Sequence, residues 1–104
     1  MFVTLQGTAH GRFERFVRQG NVEMAEQAAR ELGQLSLRDA LLLVALYART
    51  GSPKFEPAAV KWLGRLAVEG RDVHLQDVLV AVAALAQLRG DRSDKASKIL
   101  SDLV

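Results

Sequence analysis

The chain has no cysteine, which excludes a disulfide framework and any thiolate metal site. It has only two histidines, His10 and His74, too few to assemble a recognisable zinc motif. Proline occurs twice, at positions 53 and 57, and aromatic residues are limited to four phenylalanines, one tyrosine and one tryptophan. That scarcity, with alanine and leucine dominating, favours helix over strand. Neither the dinucleotide nor the P-loop glycine spacing occurs among the eight glycines. Five of them, Gly20, Gly33, Gly51, Gly70 and Gly90, fall where helices are expected to end. No sign of charge dominates: the formal net charge is +2, well short of an obligate nucleic-acid binder. The longest apolar runs, Ala40–Ala48 and Val78–Ala86, reach about half the ~20 residues of a membrane span. The opening MFVTLQGTAH has neither a basic leader nor a long apolar core. A soluble, cytoplasmic protein with no membrane partner is the expectation.

What the sequence does contain is a stretch that occurs nearly twice. LSLRDALLLVALYA at residues 35–48 aligns with VHLQDVLVAVAALA at residues 73–86 without a gap. Leu37 falls on Leu75, Asp39 on Asp77, Leu41 on Leu79, Val44 on Val82 and Ala48 on Ala86. Both are apolar on nearly every side, and helices of that kind belong in the middle of a domain. Two central helices follow, Ser36–Arg49 and Leu75–Leu88, with Leu41, Val44, Leu46, Val78, Val82 and Leu85 expected to be buried. On this reading aspartate at either Val44 or Val82 unfolds the domain.

Helical periodicity fills in the rest. A first helix is expected over Gly11–Gln19, with Phe13, Phe16 and Val17 on one stripe, and a second over Val22–Leu32. Ser36 and Asp39 resemble a capping box, and His74 and Asp77 take the same places before the second central helix. The fourth helix is expected to open at Ser52-Pro53 and to kink at Pro57, because Phe55 is in phase with Ala59, Trp62 and Leu66. A sixth runs over Ser93–Leu103. Residues 1–10 form an extended arm or a flap. The expected fold is all-α, a single domain over residues 1–104 with five or six short helices in antiparallel pairs. Helices two and three form one unit and helices four and five another, stacked as a helical repeat or closed as a compact bundle.

Residues Phe16–Leu32 resemble the second half of a tetratricopeptide repeat. In that family an aromatic precedes a Gly-Asp/Asn turn, an apolar residue follows, and a small alanine stands where the helices meet. Phe16, Gly20-Asn21, Val22 and Ala25 match those roles. The family's first-helix Trp and Leu-Gly positions hold Ala9, Arg12 and Phe13, and the internal repeat here is about 38 residues against 34. The resemblance implies a superhelical binding module. The Ala-, Leu- and Arg-rich style also resembles small bacterial helical proteins to which no activity attaches.

Chemistry is thin. Ser36, Ser52 and Ser93 stand at helix starts, where capping explains them. His74 and Asp77, spaced i, i+3, are a potential acid–base pair, but capping explains them as well. No convergent ionisable set supports an enzyme, and no cofactor or metal ligand set is identified. The candidate partner-binding residues are basic or aromatic: Arg12, Arg15 and Arg18 on the first helix, and Lys61, Trp62 and Arg65 on the fourth. Trp62, like Tyr47 and the phenylalanines, is most simply core, with partial exposure as an interaction anchor the alternative. Gly64 is expected to mark a close helix approach beside it. The favoured function is a non-enzymatic protein–protein interaction module or adaptor that self-associates as a homodimer. The alternative is a nucleic-acid-binding or regulatory protein using the first-helix arginines.

Overall fold

The structure, a computed structural model, describes residues 8–104. Among them the chain forms six helices and no strand: α1 Ala9–Gln19, α2 Val22–Leu32, α3 Leu37–Thr50, α4 Phe55–Glu69, α5 Leu75–Ala86 and α6 Ser93–Asp102. Most of the arm expected over residues 1–10 lies outside the described residues. Its last two positions belong to α1, and Thr8 caps that helix by accepting from the Gly11 N–H at 3.0 Å.

Local chemistry sets the boundaries. Asn21 accepts from the Met24 N–H, and Ser36 from the Asp39 N–H at 3.0 Å. The second half of a Ser36 capping box is missing, since Asp39 turns to His10 instead. Gly20 and Gly51 close α1 and α3 in the left-handed conformation that glycine adopts without strain. Helix α4 starts later than its hydrophobic phase suggested. Ser52 to Lys54 form a turn, so Pro57 is the third helical residue. The first four N–H groups of a helix have no intrahelical partner, so the missing donor costs nothing and gives no cause for a kink there.

Sequential helices pack as hairpins, α1 on α2, α3 on α4 and α5 on α6. This corrects the expected grouping of the second helix with the third and the fourth with the fifth. Helix α4 also meets α5, and α6 returns to α3, so α3 to α6 close into a ring of four. Arg38 reinforces the closure by donating to the Val104 carbonyl at 3.3 Å. The α1–α2 hairpin docks against α3 from outside the ring.

Two cores result. The larger contains Leu41 and Val44 of α3, Phe55, Trp62 and Leu66 of α4, Ala81 and Leu85 of α5, and Leu100 of α6. The smaller joins Phe13 and Val17 of α1, Ala25, Ala28 and Ala29 of α2, and Leu46 of α3. Helix α3 serves both and is the hub that its all-round apolarity predicts. Helix α5 is not. Val82 is 46% exposed, Leu79 is 62% exposed and Val78 is only half-buried, against the expectation that Val78 and Val82 are core. Only Ala81, Ala84 and Leu85 of that helix are fully inside.

Candidate functional site

Three helices leave a groove between them. Its lining comes from the end of α2, the loop that follows it, α3 and α4. The groove encloses about 490 Å³, within the common range for ligand sites. Ala29, Leu35, Ala40, Leu43, Ala58 and Trp62 give it apolar walls. Arg30, Lys61 and Arg65 add three cations, and no carboxylate lines it.

The cations differ in their freedom. Arg65 is held on three sides, with Nη2 donating to the Leu35 carbonyl at 2.7 Å and Nε and Nη2 each donating to the Glu69 carboxylate at 2.9 Å. That bidentate pair raises the Arg65 pKa and lowers that of Glu69. Arg30 and Lys61 are exposed, and neither forms an ion pair among the described residues. A ligand carboxylate entering the groove meets these two first.

Trp62 is a core residue, and the alternative of a projecting anchor does not hold. It is 1% exposed, and its indole N–H donates to the Leu37 carbonyl at 2.8 Å. Together Trp62 and Arg65 bind the carbonyls on either side of Ser36, so α4 fixes the start of α3 and with it one wall of the groove.

Tyr47 also lines the groove. Its hydroxyl donates to Glu26, which also accepts from Lys54 Nζ at 2.8 Å. Burial, then the bond to Glu26, pushes the phenol well above its usual range. The bonds from Lys54 and Tyr47 lower the Glu26 carboxyl. Glu26 is engaged in this network rather than with Arg30 four residues on, and Arg30 faces the groove.

The first-helix arginines do not form one free stripe. Arg12 donates to Glu31 at 2.7 Å, Arg15 lies over the Phe16 ring, and Arg18 is exposed. They are on α1 and none of them lines the groove. The structure thus brings together Lys61, Trp62 and Arg65 and leaves Arg12, Arg15 and Arg18 apart. A smaller groove of about 280 Å³ lies between α5 and α6, with Arg92 and Lys95 on its rim.

His74 and Asp77 behave as helix-start residues. Asp77 Oδ2 accepts the His74 backbone N–H at 2.9 Å, and the imidazole is 3.6 Å from the same oxygen. They line neither groove. His10 gives a contact the sequence did not suggest, because it belonged to an unassigned stretch. Its Nε2 is 3.1 Å from Asp39 Oδ2 and its Nδ1 is 4.0 Å from Glu14 Oε1. These three side chains are the grouping among the described residues able to hold a metal ion, with ligand atoms within 4.8 Å of one another. His10 is exposed, and the hydrogen bonds to Asp39 already account for the arrangement.

Comparison with protein-family models, curated proteins and solved structures found no match to this chain.

Proposed function

We propose that the chain is a non-enzymatic protein-interaction module, cytoplasmic and self-associating, whose α2–α3–α4 groove takes an apolar, acidic protein segment. The observation that carries this is the groove itself, apolar along its walls and bordered by cations with no carboxylate. Apolar side chains of a partner fill the volume, and a carboxylate meets Arg30 and Lys61, which gives the contact its sign and orientation. The tetratricopeptide-like reading of Phe16–Leu32 agrees with a binding role. The first-helix arginines add little to it, since Arg12 and Arg15 are engaged within the chain. No helix of the described residues is long and apolar enough to cross a membrane.

The test is affinity capture from native lysate with the intact chain and with an Arg30→Glu/Lys61→Glu variant. Both positions are exposed, so the variant is expected to fold as the wild type does. A co-purifying protein that is lost with the variant supports the groove. The same set of proteins on both baits overturns it.

A further inference from the structure

Glu14 and Asp39 form no ion pair with a lysine or arginine among the described residues. Cations next to them in sequence are committed elsewhere. Arg12 donates to Glu31 at 2.7 Å, and Arg38 to the Val104 carbonyl at 3.3 Å. Both carboxylates face His10 instead. His10 and Glu14 stand one turn apart on α1, and Asp39 belongs to the first turn of α3.

The repeated stretch contains a counterpart that behaves differently. Asp77 occupies the place of Asp39 and accepts the backbone N–H of His74 at 2.9 Å, which closes a capping box. Asp39 has Ser36 at the same distance along the chain and forgoes that local bond. Its two carboxylate oxygens lie 3.1 and 3.3 Å from Nε2 of His10, 29 residues away. The Asp39 side chain is only 13% exposed, so this carboxylate is held in the junction between α1 and α3.

We propose that His10, Glu14 and Asp39 form a binding site for a divalent transition-metal ion of the zinc class. The site is separate from the α2–α3–α4 groove and independent of what the groove binds. One donor atom from each of the three residues lies within 4.8 Å of the other two. Donors around one zinc ion stand roughly 3–3.5 Å apart, given bonds of about 2.0–2.2 Å. His10 and Asp39 already have that spacing, and rotation of the half-exposed Glu14 side chain brings in the third donor. The hydrogen bond between His10 and Asp39 gathers the donors in the metal-free chain, and the ion takes the place of the shared proton.

The donor set selects the class of metal. One imidazole with two carboxylates suits zinc and its neighbours, whereas magnesium and calcium take oxygen donors. Two carboxylates also balance the charge of a divalent ion. Bound there, the ion joins the first turns of α1 and α3. Arg49 joins the far ends of the same two helices through the Val17 carbonyl. Metal binding therefore fastens the docked α1–α2 hairpin at its other end.

Titration calorimetry of the intact chain with zinc chloride at neutral pH should show a single ion taken up per chain. His10→Ala and Asp39→Asn should each weaken uptake by at least the roughly 10–100-fold that loss of an outer-shell partner costs. His10 is exposed, so its replacement should leave the circular dichroism spectrum unchanged. His74→Ala is the internal control and should bind as the wild type does, because no third donor accompanies His74 and Asp77 among the described residues. Zinc should also slow amide exchange across α1 in the wild type and not in His10→Ala. A wild type that takes up no zinc at about 1 mM overturns the site. Uptake that survives His10→Ala puts the ion elsewhere and rejects it equally. Uptake unchanged in Glu14→Gln refutes the three-donor set, and equal competition by magnesium chloride refutes the zinc class.

Discussion

Gly64, inside α4, and Gly70, at its C-cap, lie six residues apart, and substitution has opposite consequences at the two. A Cβ at Gly64 meets nothing within 4 Å, so the glycine marks no close helix approach. Gly64→Ala should stabilise the domain by about 0.5–1 kcal/mol, the ordinary helix-propensity difference. At Gly70 a Cβ falls 2.6 Å from the Leu66 carbonyl oxygen and against a Val73 methyl, so alanine there forces backbone to move. Gly70→Ala should destabilise by about 1–3 kcal/mol. Urea titration of the pair checks both signs. Glu26 gives a pH dependence. Its carboxyl titrates below the ordinary 4.5 in the folded chain because Lys54 and Tyr47 donate to the charged form. Between the folded and unfolded values the unfolded chain binds more protons, so stability rises with pH there. The contribution is complete above about pH 4.5 and is lost as the pH falls through the lower folded value. Glu26→Gln should therefore cost about 1 kcal/mol at neutral pH, a difference that shrinks as the pH falls through the folded value, measured as melting temperature against pH.

At the scale of the element, the two copies of one apolar stretch meet different fates. Helix α3 lies between two cores and uses nearly its whole circumference, while α5 is an outer wall of the ring and uses one side. Val44→Asp buries an unpaired carboxylate and should unfold the domain, given the ~5–15 kcal/mol stability of ordinary domains. Val82→Asp places the same group in water and should cost no more than about 1 kcal/mol, although the aligned sequences suggested equal damage. Circular dichroism and thermal melts of the two variants, at low concentration, separate these outcomes. An amphipathic helix states which side is buried through its polar residues. A helix that is apolar all round does not, so nothing in α5 declared its exposed side in advance. The caps were legible, since Asn21, Ser36, Gly20 and Gly51 act within a few residues of their own position.

At the scale of the whole molecule, the α1–α2 hairpin is joined to the ring through α3. Leu46, fully buried, is the α3 residue of the smaller core, and Arg49 adds a hydrogen bond to the Val17 carbonyl. Leu46→Ala should cost about 2–5 kcal/mol. The loss should appear first as faster amide exchange across α1 and α2, with the α4–α6 amides less affected, when followed by native-state hydrogen exchange. The groove belongs to this scale as well. Lys61 and Arg65 stood out in the sequence as an i, i+4 cationic pair. Arg30 did not, because its place on the rim depends on Glu26 turning to Lys54, 28 residues away.

The sequence by itself determined an all-helical chain of five or six helices and most of their ends, and it named two central helices of which α3 is one. Those features follow from hydrophobic period, capping oxygens and glycine dihedrals, which act over a few residues. Tertiary structure alone decided which helices pair, how the ring closes and which side of α5 faces water. Each of these depends on competition among apolar surfaces far apart in the chain, and the hydrophobic effect that drives the competition has no direction of its own. Residues 35–48 and 73–86 are nearly one surface in sequence, and the fold buries the first while leaving much of the second exposed.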